Sequence, residues 1–355
     1  MRVIDRYFTR LFAARFLLLL FGIVALMSLL DFLAQGDDVV RDGTTAPVAT
    51  ILRYLALRLP EIVSRAIPFA VLLATLVTLS GMQRQSELTA LKSFGISQLR
   101  IMMALAPIAV LIAIPQFWID SALVPSSVSA LRTWGVGDYK PVAAEDDAGL
   151  TWARQGHDVV SFRAAGRGGL SDVTIFRRDE TGRLREQIEA ARARPGAGGW
   201  RLENARVTRP GATAPELHES LDWAAGPDRS LLRSLSAYPR EMSFSELARY
   251  AYEQNVGSSP PYLYVFWLHK KIAVPVATVL IVFLAVPLVQ GFNRRGGTAL
   301  VIAAGIALGF VFFSFDGIVV ALGEAGLLPP ALAAWGPTIA FAAIAGSIAL
   351  RHETL

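Results

Sequence analysis

Four lysines, four histidines and no cysteine limit the chemistry these 355 residues can carry. Without cysteine there is no disulfide, no thiolate set for zinc or iron–sulfur, and no thiol nucleophile. None of Lys92, Lys140, Lys270 and Lys271 follows a glycine and no G-x-x-x-x-G-K-[ST] occurs, so a P-loop nucleotide site is excluded. His157, His218, His269 and His352 are too dispersed for a metal cluster, and neither G-x-S-x-G nor H-E-x-x-H is present. The residue types point away from catalysis; no cofactor or metal is expected, and any ATP must be handled by another chain.

Three groupings remain as candidates for non-catalytic work. Gln85 to Gly95 places Ser86 at an N-cap, Glu87 in the first turn, Leu88 and Leu91 as an apolar pair, Lys92 in the last turn and Gly95 as a stop. Such a short amphipathic helix either rests on lipid or docks in a groove of a cytoplasmic motor. Asp316 interrupts an apolar run near Phe312 and Phe313; it is either an interfacial acid, with a frayed turn from Gly317, or an acid inside the bundle. Lys270 and Lys271, beside His269, read first as snorkelling anchors and second as an attraction for an anionic lipid head group. Arg41, Arg53, Arg58 and Arg132 could share that basin, with Phe312 among the lipid-binding candidates. Arg58, Glu61 and Arg65, spaced three and four apart, are expected to pair on a helix surface.

The elements that must position these residues are membrane spans. At 53% hydrophobic, 18% charged and a mean hydropathy of +0.45, the chain is too apolar for a water-soluble protein. Runs free of Asp, Glu, Lys and Arg cover Phe16 to Leu30, Ala66 to Gln83, Ile101 to Ile119, Ile272 to Asn293, Gly296 to Phe315 and Ala325 to Leu350. Arg15 and Asp31 can snorkel to extend the first, so six spans are expected, with a polar insert between the third and fourth. Arg2, Arg6 and Arg10, then Arg84, Lys92 and Arg100, then Arg294 and Arg295, then Arg351 all fall on one face, which puts both termini in the cytoplasm and the insert opposite. No A-x-A-like site follows Leu30, so an uncleaved anchor is expected. From Pro125 to Tyr262 eighteen basic residues balance eighteen acidic ones, so the net charge of +5 belongs to the membrane parts and marks topology, not nucleic-acid binding.

The insert reads as strands. Trp152, Val160, Phe162, Val173 and Ile175 alternate at period two, and Trp200, Leu202 and Val207 do so less strictly. Turn chemistry lies at Gln155–Asp158, Asp179–Gly182 and Pro195–Gly199, which suggests an antiparallel sandwich or jelly roll. Ser243-Phe244-Ser245-Glu246 is a capping box opening a short helix expected to reach Val256 and stop at Gly257.

Ile4-Asp5-Arg6-Tyr7, Gln83-Arg84-Gln85-Ser86-Glu87-Leu88 with Gly95, Gly149-Leu150-Thr151-Trp152, Arg294-Arg295-Gly296-Gly297, and Gly309 to Phe312 with Asp316 occur in an order that resembles the LptF/LptG family of lipopolysaccharide export permeases, and its LptG branch more than its LptF branch. The resemblance covers the whole chain. It implies a polytopic α-helical membrane protein of six transmembrane helices with an inserted periplasmic antiparallel β-jellyroll: residues 1–124, 125–262 and 263–355. It implies an inner-membrane heterodimer with LptF, driven by an LptB ATPase dimer and passing lipopolysaccharide to LptC. It implies a coupling helix over Ser86 to Gly95 with Glu87 among its contacts, and lateral gates at the first and fifth spans. Where relatives carry lysines beyond the first span, this chain has Gln35 to Arg41, so of the family's phosphate contacts only Arg132 carries over. Two other readings are an ion-coupled secondary transporter, which would need a midplane ion site, and a membrane-anchored sensor or scaffold binding through the insert.

Overall fold

The computed structural model describes residues 2–41, 47–95, 98–136, 139, 151–155, 158–165, 169–179, 181–196, 199–212, 214–223, 238–252, 256–257 and 259–353. They form two compact units, one of Met1–Tyr139 with Phe266–Leu355 and one of Lys140–Val265.

In the helical unit, α1 (Arg2–Arg41) is 40 residues long, about 60 Å, twice the hydrocarbon thickness. The fifteen-residue apolar run therefore marks only the middle of the helix. Its far end is held because Val39 is buried with Tyr54, Leu131 and Val136. α2 (Pro47–Arg84) contains Pro60 and Pro68 and runs antiparallel to α1: Tyr7 meets Glu87, Arg15 meets Val77, and Asp31 meets Arg58. After α3 (Glu87–Ser93), α4 (Gln98–Trp118) passes through a π turn at Ile119–Leu123 into α5 (Val124–Trp134).

The insert is one seven-stranded sheet in the order β6-β5-β4-β3-β2-β1-β7, all neighbours antiparallel. Its strands are β1 (Thr151–Gln155), β2 (Asp158–Ala165), β3 (Gly169–Arg178), β4 (Leu184–Gly196), β5 (Gly199–Thr208), β6 (Glu216–Trp223) and β7 (Val256–Gly257). The looser alternation of β5 has a local cause. Asn204 takes φ +54°, so Trp200 and Leu202 point inward on one side of it and Ala205 and Val207 on the other. Asp172 in β3 does the same at φ +49°, between Leu170 and Val173, and both sit where one residue of the ladder is passed over. The β3–β4 turn is closed by Asp179, whose carboxylate accepts from the Thr181 hydroxyl and the Thr181 and Arg183 amides; these bonds hold its pKa below the ordinary aspartate value. The capping box at the start of α6 (Phe244–Tyr252) is formed: the Ser243 amide donates to Glu246 and the Glu246 amide donates to Ser243 Oγ. This helix ends at Tyr252 and does not reach Val256, which pairs instead with β1.

α7 (Pro261–Glu324) runs for 64 residues and folds back on itself as a helical hairpin. Along a straight helix Lys270 and Asp316 would be about 69 Å apart; their side chains form an ion pair. The first limb packs against α4, with Thr278 on Gln116 and Lys271 on Asp120. The second packs against α2, where a Cβ on Gly305 would stand 2.0 Å from Leu76 Cδ1 and one on Gly309 2.6 Å from Leu72 Cδ2. Both limbs are antiparallel to their neighbours, so the fourth and fifth spans share this element. α7 ends in a Schellman turn, with Leu327 N–H on Leu322 O and Gly326 N–H on Gly323 O at φ +73°, before α8 (Pro330–Glu353), which is apolar over Pro330–Ile344. A polytopic helical membrane protein with an inserted antiparallel β domain is the architecture.

Candidate functional site

The loop between the second and third spans forms a rigid corner. Ser86 at φ +60° turns the chain out of α2, and its carbonyl accepts the first bond of α3 from Ala90 N–H. Leu88 is buried in the same core as Phe8, Phe12, Met82 and Ile101, so its side chain plugs α3 into the bundle. Glu87 accepts a hydrogen bond from the Tyr7 hydroxyl of α1 at 3.2 Å. Gly95 at φ +78° stops the helix, as its type predicts, and Phe94 before it is 83% exposed. Leu91 and Lys92 lie on α3, with side chains outside the described residues. Tyr7 and Phe94 escape a search for motifs, since an apolar or aromatic side chain carries no spacing signature.

At the other end of α1 and α2 the charges pair off. Arg58 binds Asp31 and Glu61, Glu61 also binds Arg65, Tyr54 donates to Asp31 at 2.8 Å, and the Tyr139 hydroxyl reaches Glu61 at 3.0 Å. The expected Arg58–Glu61–Arg65 pairing is present, and Asp31 adds an anchor from α1. Arg58 is thereby removed from the lipid basin, and Arg53 is spread over the Trp134 ring at 4.5 Å. Arg132 lies in the last turn of α5, half-buried and engaged within the protein. Arg41 is the last residue of α1; its side chain is outside the described residues.

Between these ends lies a buried polar chain built on two prolines. Pro68 has no N–H for the carbonyl four residues before it, and the Gln116 amide donates to that Ser64 carbonyl at 3.4 Å. In the π turn the Val124 N–H goes to Ile119 O and residue 125 is proline, so Asp120 O has no helical donor. Lys271 fills the vacancy: Nζ donates to Asp120 O at 2.6 Å and pairs with Asp120 Oδ2 at 3.1 Å, its side chain 1% exposed. Thr278 donates to Gln116 Oε1 at 2.8 Å and closes the chain. Both of these freed backbone acceptors are met by a side chain from a neighbouring span, as the exclusion of water from a membrane interior favours.

Lys270 forms the second ion pair, with Asp316, beside a cavity of about 40 Å3 lined by Pro68, Ala277, Phe312, Phe313 and Thr338. Two expectations are corrected here. Lys270 and Lys271 do not snorkel: both are buried and both ammonium groups are held by aspartates. Nor does Asp316 open a frayed turn, because α7 stays helical to Glu324. The physical reason is mutual neutralisation: an ion pair can stay inside the bundle where a single charge could not. Phe312 is buried, with ring contacts to Phe313 and Phe341 at centroid distances of 5.2 and 4.8 Å. Among the described residues no group of His, Asp and Glu is arranged to hold a metal ion. The arrangement joins the helices through buried polar contacts and leaves Phe94, just past α3, exposed.

Comparisons agree with this reading. Residues 6–351 match the family described as "Lipopolysaccharide export system permease LptF/LptG". The chain is similar to the lipopolysaccharide export system permease protein LptG of Escherichia coli K12, 24% identical over 358 residues and 99% of each chain. It is similar to the protein of that name from Haemophilus influenzae, 24% identical over 324 residues and 87% of each. With five helical stretches long and apolar enough to cross a membrane among the described residues, an inserted antiparallel sheet, and a family match that runs almost from end to end, this inner-membrane, multi-pass chain belongs to the LptF/LptG family of lipopolysaccharide export permeases.

Proposed function

We propose that the chain is the LptG-type permease subunit of an ABC-type exporter that takes lipopolysaccharide from the periplasmic leaflet of the inner membrane and passes it to a periplasmic bridge. Both termini are cytoplasmic and the insert is periplasmic, as the arginine-rich short loops favour. The partners are LptF as the other half, an LptB dimer as the ATPase and LptC as the recipient. The observation that carries this reading is the family match over residues 6–351. Supporting it, the sequence has no P-loop, and α3 stands on the membrane bundle with Leu88 inward and Phe94 outward, as a motor's docking helix would. A multi-acyl lipid buries about 0.8 kcal/mol per methylene, so extraction needs an apolar cavity and external work. The chain supplies walls: the exposed apolar faces of α1 (Leu17, Leu18, Phe21) and of the second limb of α7 (Phe310, Val311, Ile318) are suited to a cavity and gates shared with LptF.

The test is reconstitution. Alone in a bilayer the chain should neither hydrolyse ATP nor move lipopolysaccharide; with its partners it should do both. Activity of the chain alone would overturn the proposal. The partly buried carboxylates Asp120 and Asp316 are the one feature that favours an ion-coupled transporter, but each is neutralised by a lysine. Proton-driven uptake without an ATPase would decide for that reading. Of the lipid-binding candidates, Arg132 is the one we retain: Arg132→Glu should lower lipopolysaccharide crosslinking in the assembled complex about tenfold, and unchanged crosslinking would refute the contact.

A further inference from the structure

Arg15 is a charge inside the first span. It lies eight residues, about 12 Å, beyond Tyr7 along α1. Its Nη1 donates to the Val77 carbonyl at 2.9 Å, and the guanidinium lies against α2 at Gly81, where a Cβ would stand 3.1 Å from both Nη1 and Nη2. A methyl group there would make the guanidinium give by a few tenths of an ångström. A guanidinium carries five N–H donors; among the described residues Arg15 makes that one hydrogen bond, and its Nε and most of its Nη donors have no acceptor. The other cations held inside the bundle differ: Arg58, Lys270 and Lys271 each have a carboxylate.

We infer that Arg15 is the head-group site of an anionic phospholipid, whose phosphodiester takes the donors that Val77 leaves over. Three features favour a lipid as the source of the anion. The guanidinium can reach back along the helix towards the polar layer marked by Tyr7 and Glu87, so it sits at head-group depth. Further along its own side of α1 Leu18 and Leu26 are exposed and give acyl chains an apolar wall. Exposed Arg6, Arg10 and Arg84 on the same end of the bundle add attraction for an anionic leaflet. The planar fork of Arg15 matches a phosphate bidentately, as a lysine could not. Under the orientation proposed above, the leaflet is cytoplasmic, opposite to the one from which cargo is taken.

The assembled complex in nanodiscs of phosphatidylcholine with about one-third phosphatidylglycerol supplies the test, by native mass spectrometry of the lipid retained. The wild type should retain phosphatidylglycerol in preference to phosphatidylcholine, and Arg15→Gln should lower that retention about tenfold, with Arg15→Lys in between. Added inorganic phosphate should not displace the lipid. Equal retention in Arg15→Gln, or displacement by inorganic phosphate, overturns the inference. Loss of a partner chain from Arg15→Gln with lipid retention unchanged also overturns it, in favour of a protein carboxylate. If Arg15→Gln does not assemble, Gly81→Leu fills the seat with a whole side chain and keeps the charge; retention should fall, and retention at wild-type level overturns the site. Copurification of an ATPase scores the proposed function separately.

Discussion

Glu87→Arg is expected to leave the chain folded in the membrane and to abolish ATPase-coupled transport. The fold survives because α3 is seated by Leu88, whose buried side chain the substitution does not touch. What changes is the face of the corner. A carboxylate in the first turn, where the helix dipole favours a negative charge, becomes a guanidinium that the dipole opposes, and Tyr7 loses its acceptor. A motor surface complementary to an acid meets a like charge instead. Lipopolysaccharide release per ATP hydrolysed, measured in proteoliposomes, should fall by at least about tenfold. Normal transport by this variant, with LptB still copurifying, would remove the coupling role from α3.

Lys271→Met should be the most destabilising single substitution in the bundle, by about 3–5 kcal/mol, because it strands a partly buried carboxylate. The loss is double: Asp120 Oδ2 loses its counter-charge, and Asp120 O loses the donor that proline 125 and the π turn deny it. Adding Asp120→Asn should recover part of the loss by removing the charge, but not all, since the carbonyl stays unmet. Thermal unfolding in detergent, read as retained monodisperse protein, measures both variants. Wild-type stability in Lys271→Met would mean that the pair contributes nothing to holding the fourth span on the third.

The membrane spans were legible because charge is costly in lipid, and the same rule explains what was missed. A count of uncharged residues stops the first span at Leu30, yet α1 continues to Arg41, since Asp31 is neutralised by Arg58. It likewise takes Lys270 and Lys271 for anchors, because a linear pattern does not reveal that Asp120 and Asp316 approach from other spans. Ser243 to Glu246 was readable since capping is a local event within four residues, and the short helix α3 with its stop at Gly95 was readable from its own residues too. The slip in β5 was visible as irregular alternation, but its cause, a left-handed Asn204 aligned with the irregularity at Asp172, exists only in the paired sheet. Tyr7 meets Glu87 across eighty positions, and no spacing announces that.

The π turn at Ile119–Leu123 also sets an angle. It holds one residue more than an ordinary helical turn, so everything from Val124 to Trp134 is rotated by about 100° from where an uninterrupted helix would aim it. Deleting a single residue there would heal the backbone ladder and swing Arg132 to another side of the bundle. A shortening that looks harmless on paper would thus re-aim the outward end of the third span like a key turned in its lock.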